Sequence, residues 1–209
     1  MDYHQQPMTQ QSKKVAFVLG NGRSRLQLNL QELKKYGPIY GCNALYREFS
    51  PDYLIAVDEK MVREIHETGW QYRHEVWTNP NKGILKLEGF KFFNPHKGWS
   101  SGPTALWLAA THSYDSIFII GFDYQGIDGR FNNVYADTKN YKQSRDLPTY
   151  FGNWANQTEN VIRSFKKINF TRVIEKDWFI PPNISSLTEN FSHMTFEDLD
   201  EKFPGILFK

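Results

Sequence analysis

The chain has 209 residues, of which 40% are hydrophobic and 23% charged, with a formal net charge of +2. That length holds one domain, or one domain with a small appendage, with a proper core, and so balanced a charge gives no electrostatic case for nucleic-acid binding. A single cysteine, Cys42, excludes an internal disulfide, no Cys/His cluster has zinc spacing, and no apolar run reaches membrane-spanning length, so a cytoplasmic setting is expected.

Residues 1–12 are polar and glutamine-rich and read as a disordered leader, lacking the apolar stretch of a signal peptide. Val15–Leu19 is a short, fully apolar run of the kind buried in a parallel sheet. It ends in Gly20-Asn21-Gly22, whose glycines permit positive φ and close approach of a ligand to the backbone. Leu26, Leu28, Leu30 and Leu33 predict a short amphipathic helix closing near Lys35, before Gly37-Pro38. Strands follow at Ile39–Cys42 and Tyr53–Val57, then a helix over Lys60–Thr68. Glu75–Thr78 is a fourth strand, stopped by Asn79-Pro80, and Phe90–Phe93 a short fifth. Gly102–His112 is a strong helical pattern, and Ser116–Ile120 is the clearest strand of the chain. A polar, tyrosine-bearing segment runs over 124–153, too long for a structureless connector and therefore expected to be a lid or binding loop. A helix over Trp154–Lys167, a last core strand at Thr171–Ile174 and a terminal helix at Phe196–Phe203 complete the pattern.

Strands alternating with helices predict an α/β fold: a Rossmann-like, three-layer α/β/α arrangement around a mainly parallel sheet. The expected division is a nucleotide-binding domain over 13–180 and a C-terminal extension over 181–209.

Ligands of such sheets sit beyond the carboxyl ends of the strands. Those ends carry Gly20-Asn21-Gly22, Cys42-Asn43, Asp58, Thr78-Asn79 and Gly121-Phe122-Asp123-Tyr124. Each asparagine alone reads as a turn or cap residue. Together, Asn21, Asn43 and Asn79 suit a neutral polar ligand such as a base and ribose, because an amide both donates and accepts. Ser100 or Ser101 can cap the helix that Gly102-Pro103 enters, and its free N–H groups suit a phosphate. Tyr124 and Tyr135 can donate to a phosphate oxygen without adding charge. Asp58-Glu59 is not an Asp-x-Asp pair, and Asp58 is expected to cap the helix after it. Cys42 is expected to be a small buried residue rather than a nucleophile.

Gly20-Asn21-Gly22, Cys42-Asn43, Asn79-Pro80, Ser101-Gly102, Gly121-Phe122-Asp123-Tyr124 and Tyr135-Ala136-Asp137-Thr138-Lys139 together resemble the bacterial lipooligosaccharide sialyltransferases. The match runs in order from about residue 15 to 175. The chain is also similar to bacterial and phage Rossmann-like proteins, some related to pterin pyrophosphokinases of archaeal type. The resemblance implies a transferase that needs no metal and no cofactor beyond its CMP-sugar donor, and that serves a glycan acceptor. It implies that Asn21, Asn43, Asn79, Ser101 and Gly102 contact the nucleotide, that Tyr124 and Tyr135 hold the leaving phosphate, and that 124–153 closes over the sugar. It also implies tetramers, although no motif here demands one.

Two departures stand out. Where the family has its general-base histidine after Tyr-x-Gly, Tyr150-Phe151-Gly152 leads to Asn153, and an amide cannot take a proton at neutral pH. Residues 94–99 also lack the family's arginine, holding only His96 and Lys97. His96 is an alternative base; His112 and Asp123 are weaker candidates. Two other readings stay open: a nucleotide-binding module without transfer chemistry, such as a sensor or phage accessory protein, and a pyrophosphokinase or nucleotidyltransferase drawing magnesium ligands from Asp58, Glu59, Asp123 and Asp128.

Overall fold

Eight strands form one sheet in the order β5-β4-β3-β2-β1-β6-β7-β8, every neighbouring pair parallel. They are β1 (Val15–Leu19), β2 (Ile39–Cys42), β3 (Tyr53–Ile55), β4 (Val76–Thr78), β5 (Lys91–Phe92), β6 (Ser116–Ile120), β7 (Asn169–Ile174) and β8 (Phe191–Thr195). This computed structural model describes residues 13–187 and 189–208, so the leader read over 1–12 lies outside them.

The helices are α1 (Leu30–Lys34), α2 (Glu59–Thr68), α3 (Ser101–Thr111), α4 (Gly152–Ser164), α5 (Pro182–Ser185) and α6 (Phe196–Lys202). Because β1 and β6 are apolar on both faces, helices must cover both. On one side Ala16, Val18, Ile117 and Ile119 pack beneath Ala105, Leu106 and Ala109 of α3 and Val161 and Ile162 of α4. On the other, Phe17, Leu19, Phe118 and Ile120 meet Met61, Val62 and Ile65 of α2 and Phe196, Leu199 and Phe203 at the C-terminal end. Phe203 sets its ring edge-on to both Phe17 and Phe118, with centroids 5.2 Å away in each case. The fold is thus a Rossmann-like α/β/α sandwich, and its sheet is parallel throughout.

The structure adds short helical turns at Asn43–Arg47, Trp70–Tyr72 and Pro182–Ser185 to the sequence reading and departs from it in two larger elements. The helix expected from Leu26 to Lys35 is a 3-10 turn over Arg23–Gln27 followed by α1. Asn29 divides them, its side chain accepting from the N–H groups of Gln31 and Glu32 as an N-cap. The strand at Thr171–Ile174 is also not the last. β8 pairs with it on the outside over five residues. Its Ser192, His193 and Thr195 hide it from a reading based on apolar runs, because an edge strand is only half covered. The extension after residue 180 therefore completes the sheet and roofs one of its faces.

Candidate functional site

Strand order reverses between β1 and β6, since β1 continues to β2 on one side while β6 continues to β7 on the other. The loops leaving this switch point part in opposite directions and open a crevice. Here they stay joined for one further step. The N–H of Gly20 donates to Ile120 O at 2.8 Å, and that of Gly22 to Gly121 O at 2.9 Å. A Cβ on Gly20 would lie 2.5 Å from Gly121 O, and one on Gly22 would lie 2.3 Å from Asp123 Cγ. Those two glycines therefore serve close approach. The left-handed backbone falls instead on Gly121 (φ 71°) and Tyr124 (φ 53°).

Asp123 faces back across the switch point. Its carboxylate accepts from Ser24 Oγ at 2.6 Å, Ser24 N at 3.2 Å and Asn132 Nδ2 at 2.9 Å. Behind the turn lies Arg172 of β7, only 1% exposed. Its guanidinium donates to the carbonyls of Phe122 (2.8 Å), Asp123 (2.9 Å) and Phe179 (3.1 Å) and stacks 4.8 Å from the Tyr124 ring. A planar fork of donors on three carbonyls fits arginine alone. Burial pulls its pKa down, while Tyr124 and Asp123 act the other way.

A second set of contacts joins β2, β3 and α3. Ser101 Oγ accepts from Val57 N at 3.1 Å and donates to Asn43 Oδ1 at 2.8 Å. Asn43 itself adopts φ 53°, a conformation asparagine tolerates better than most residues. Asn21 Nδ2 donates to Cys42 O at 3.0 Å, tying the β1 loop to β2, while Asn21 Oδ1 is buried without a partner. Ser100 occupies the N-cap position of α3 without a side-chain capping bond, and its N–H donates to Gln157 Oε1 at 3.1 Å. The N–H groups of Ser101 and Gly102 begin the helix and have no intrahelical acceptor.

These features enclose one cavity of about 350 Å³, within the size range of small-molecule sites. Gly20, Asn21, Gly22, Asn43, Asp123 and Tyr124, from the strand ends, and Ser100, Ser101 and Gly102, from the start of α3, all line it. The 124–153 segment supplies a wall through Gln125, Phe131, Asn132, Asn133, Pro148, Thr149 and Phe151. Asn132 anchors that wall: its Oδ1 accepts from Arg23 N at 2.9 Å, and its Nδ2 donates to both Asp123 and Gln125 O. Asp58 and Trp154 also reach the cavity. Among the described residues, no lysine, arginine or histidine lines it.

No family model, curated protein or solved structure matches the chain.

Other expected residues lie elsewhere. Asn79, at the end of β4, does not line the cavity; three strand spacings put β4 about 14 Å from β1. Tyr124 lines the cavity, but its hydroxyl donates to Thr158 Oγ1 on α4 at 2.7 Å, and burial pushes its pKa up. Tyr135 is outside: its hydroxyl donates to Glu48 Oε1 at 2.6 Å and accepts from Arg25 Nη2 at 2.8 Å. It closes a structural ion pair, and the phosphate-binding role expected for it has no geometry behind it. Asn153 and His96 are exposed and outside the lining, and His112 contacts Tyr40 at the opposite ends of the strands. Cys42 is buried, its thiol donating to Leu19 O and pushed up to about 12 by desolvation. Of the candidate magnesium ligands, Glu59 pairs with Arg63 and Asp128 is exposed outside the lining, leaving Asp58 and Asp123. No cluster of three His, Cys, Asp or Glu side chains forms a metal site among the described residues, and no helix among them is long and apolar enough to cross a membrane.

Asp58, Asn132 and Arg172 are functional candidates that the sequence reading passed over or assigned otherwise. Asp58 holds the N-cap position of α2, yet its side chain makes no capping bond. Its strand-end position was the available signal. Asn132-Asn133 in the long polar segment was a second, fainter one. Nothing local marks Arg172, which matters only because β7 lies behind the β6 turn.

Proposed function

We propose that the cavity binds the nucleotide of a CMP-activated sugar and that the protein is a sialyltransferase-like glycosyltransferase acting without a metal. The observation that carries this reading is the convergence of Asn21, Asn43, Ser101 and the β6 turn on one cavity with no basic side chain in its lining. Amides suit the polar edges of a pyrimidine and the ribose hydroxyls. The phosphate falls to the free N–H groups and positive dipole end of α3, at Ser101 and Gly102. In this reading the 124–153 segment is the lid over the donor sugar, held where Asn132 ties it to Asp123.

A second reading, a nucleotide-binding module without transfer chemistry, is favoured by one observation: Asn153, His96 and Tyr135 stand outside the cavity lining. The pyrophosphokinase reading has less support, because Asp123 is already held by three hydrogen bonds.

Thermal unfolding with CMP, CDP, UDP, GDP and ATP, with and without magnesium, tests all three. A ligand at 100 times its Kd adds about 2.7 kcal/mol of stability, a shift of several degrees for a chain of this size. Stabilisation by CMP that EDTA leaves unchanged is the expected result. Magnesium-dependent stabilisation by ATP, with none by CMP, would overturn it. CMP binding without release of CMP from any activated sugar would select the second reading.

A further inference from the structure

Within the cavity lining, four side chains can in principle give up or accept a proton: Cys42, Asp58, Asp123 and Tyr124. Three are committed. The Cys42 thiol is buried and donates to Leu19 O. The Tyr124 hydroxyl donates to Thr158. The Asp123 carboxylate takes two bonds from Ser24 and one from Asn132. Asp58 differs from all three. It stands at the carboxyl end of β3, where a helix begins, and its backbone carbonyl accepts from Met61 and Val62. Its carboxylate caps nothing and forms no salt bridge among the described residues, and the residue is exposed while still lining the cavity that Asn43 and Ser101 also line. An acidic residue at an N-cap position ordinarily turns back onto the helix N–H groups.

We infer that Asp58 is the proton acceptor of this cavity, taking the place of the histidine whose position Asn153 occupies. The inference rests on the CMP-sugar reading above. In the step, a hydroxyl of the acceptor, or of water when no acceptor is bound, attacks the anomeric carbon of the donor sugar. A new carbon–oxygen bond forms there as the bond from that carbon to the phosphate oxygen breaks. The electron pair of the broken bond leaves with CMP, and the attacking hydroxyl's proton passes to an Asp58 carboxylate oxygen. Asp58 then releases that proton to solvent. No oxidant, reductant or metal enters the balance.

The test measures CMP release from CMP-sialic acid and CMP affinity side by side in wild type, Asp58→Asn and Asp58→Ala. Because the carboxylate holds nothing else together, both variants should melt close to wild type. Each should bind CMP within about threefold of wild type while release falls by about 10²–10⁴-fold, the usual contribution of a positioned base. Formate should restore part of the rate in Asp58→Ala and none in wild type. Release by Asp58→Asn at the wild-type rate would overturn the inference and leave the nucleotide reading standing. So would a loss of CMP affinity equal to the loss of rate, which would make Asp58 a ligand-holding group. Failure of wild type to bind CMP at all would instead strike the underlying reading.

Discussion

Ser101 Oγ sits 2.8 Å from Asn43 Oδ1 and 3.1 Å from the N–H of Val57, so one hydroxyl joins α3 to the ends of β2 and β3. The bond also fixes the Asn43 amide: its oxygen is taken, and its nitrogen is the end left to a ligand. Ser101→Ala removes one donor and one acceptor from a half-buried corner and leaves the Val57 N–H and the Asn43 oxygen without this partner, at about 1 kcal/mol each. The expected outcome is a lower melting temperature together with at least tenfold weaker CMP binding, measured by calorimetry. Unchanged affinity would mean that Asn43 needs no such orientation.

Arg172→Lys is expected to be far from conservative. A single ammonium cannot serve the Phe122, Asp123 and Phe179 carbonyls together, so one or two are left bare in the interior. The expected cost is about 2–4 kcal/mol in urea unfolding. The β6 turn should loosen with it, weakening CMP binding in parallel. A variant as stable as wild type would show that the turn holds its shape unaided.

Tyr135→Phe separates the geometry from the family resemblance. The resemblance puts this hydroxyl on the leaving phosphate. In the structure it bridges Glu48 and Arg25, whose Nη2 and Oε1 also pair at 2.9 Å. The substitution should therefore lower stability by about 1 kcal/mol and leave both CMP affinity and CMP release unchanged. A large fall in release would restore the phosphate-binding role.

His193 carries a pH dependence. It lies on β8 in register with Arg172, and its Nε2 is buried without a partner. Burial, then the neighbouring Arg172 charge, lowers its pKa from 6.5 to about 4. Between those values the unfolded chain binds the proton and the folded protein does not. The contribution to stability is therefore fully present above pH 6.5 and is lost as pH falls toward 4. Urea midpoints of wild type and His193→Gln, measured from pH 7 to pH 4, should show a steeper acid decline in wild type. Parallel curves would mean that His193 protonates without penalty.

Much of this molecule is written in local pattern. The apolar runs at Val15–Leu19 and Ser116–Ile120 and the amphipathic stretches between strands specify a parallel sheet covered on both faces. In such a sheet only the carboxyl ends of strands are free to hold ligands, so Gly20, Asn21, Asn43, Ser101 and Asp123 were legible as a set. What the pattern does not encode is distance across the sheet. Strand order places β3 within reach of the cavity and β4 beyond it, which separates Asp58 from Asn79. It also turns the Tyr135 hydroxyl toward Arg25 and brings Arg172, from a strand fifty residues on, beneath the β6 turn. Side-chain direction and long-range pairing arise only when the chain closes on itself. Which polar groups still have a free valence toward the cavity is therefore a property of the folded molecule.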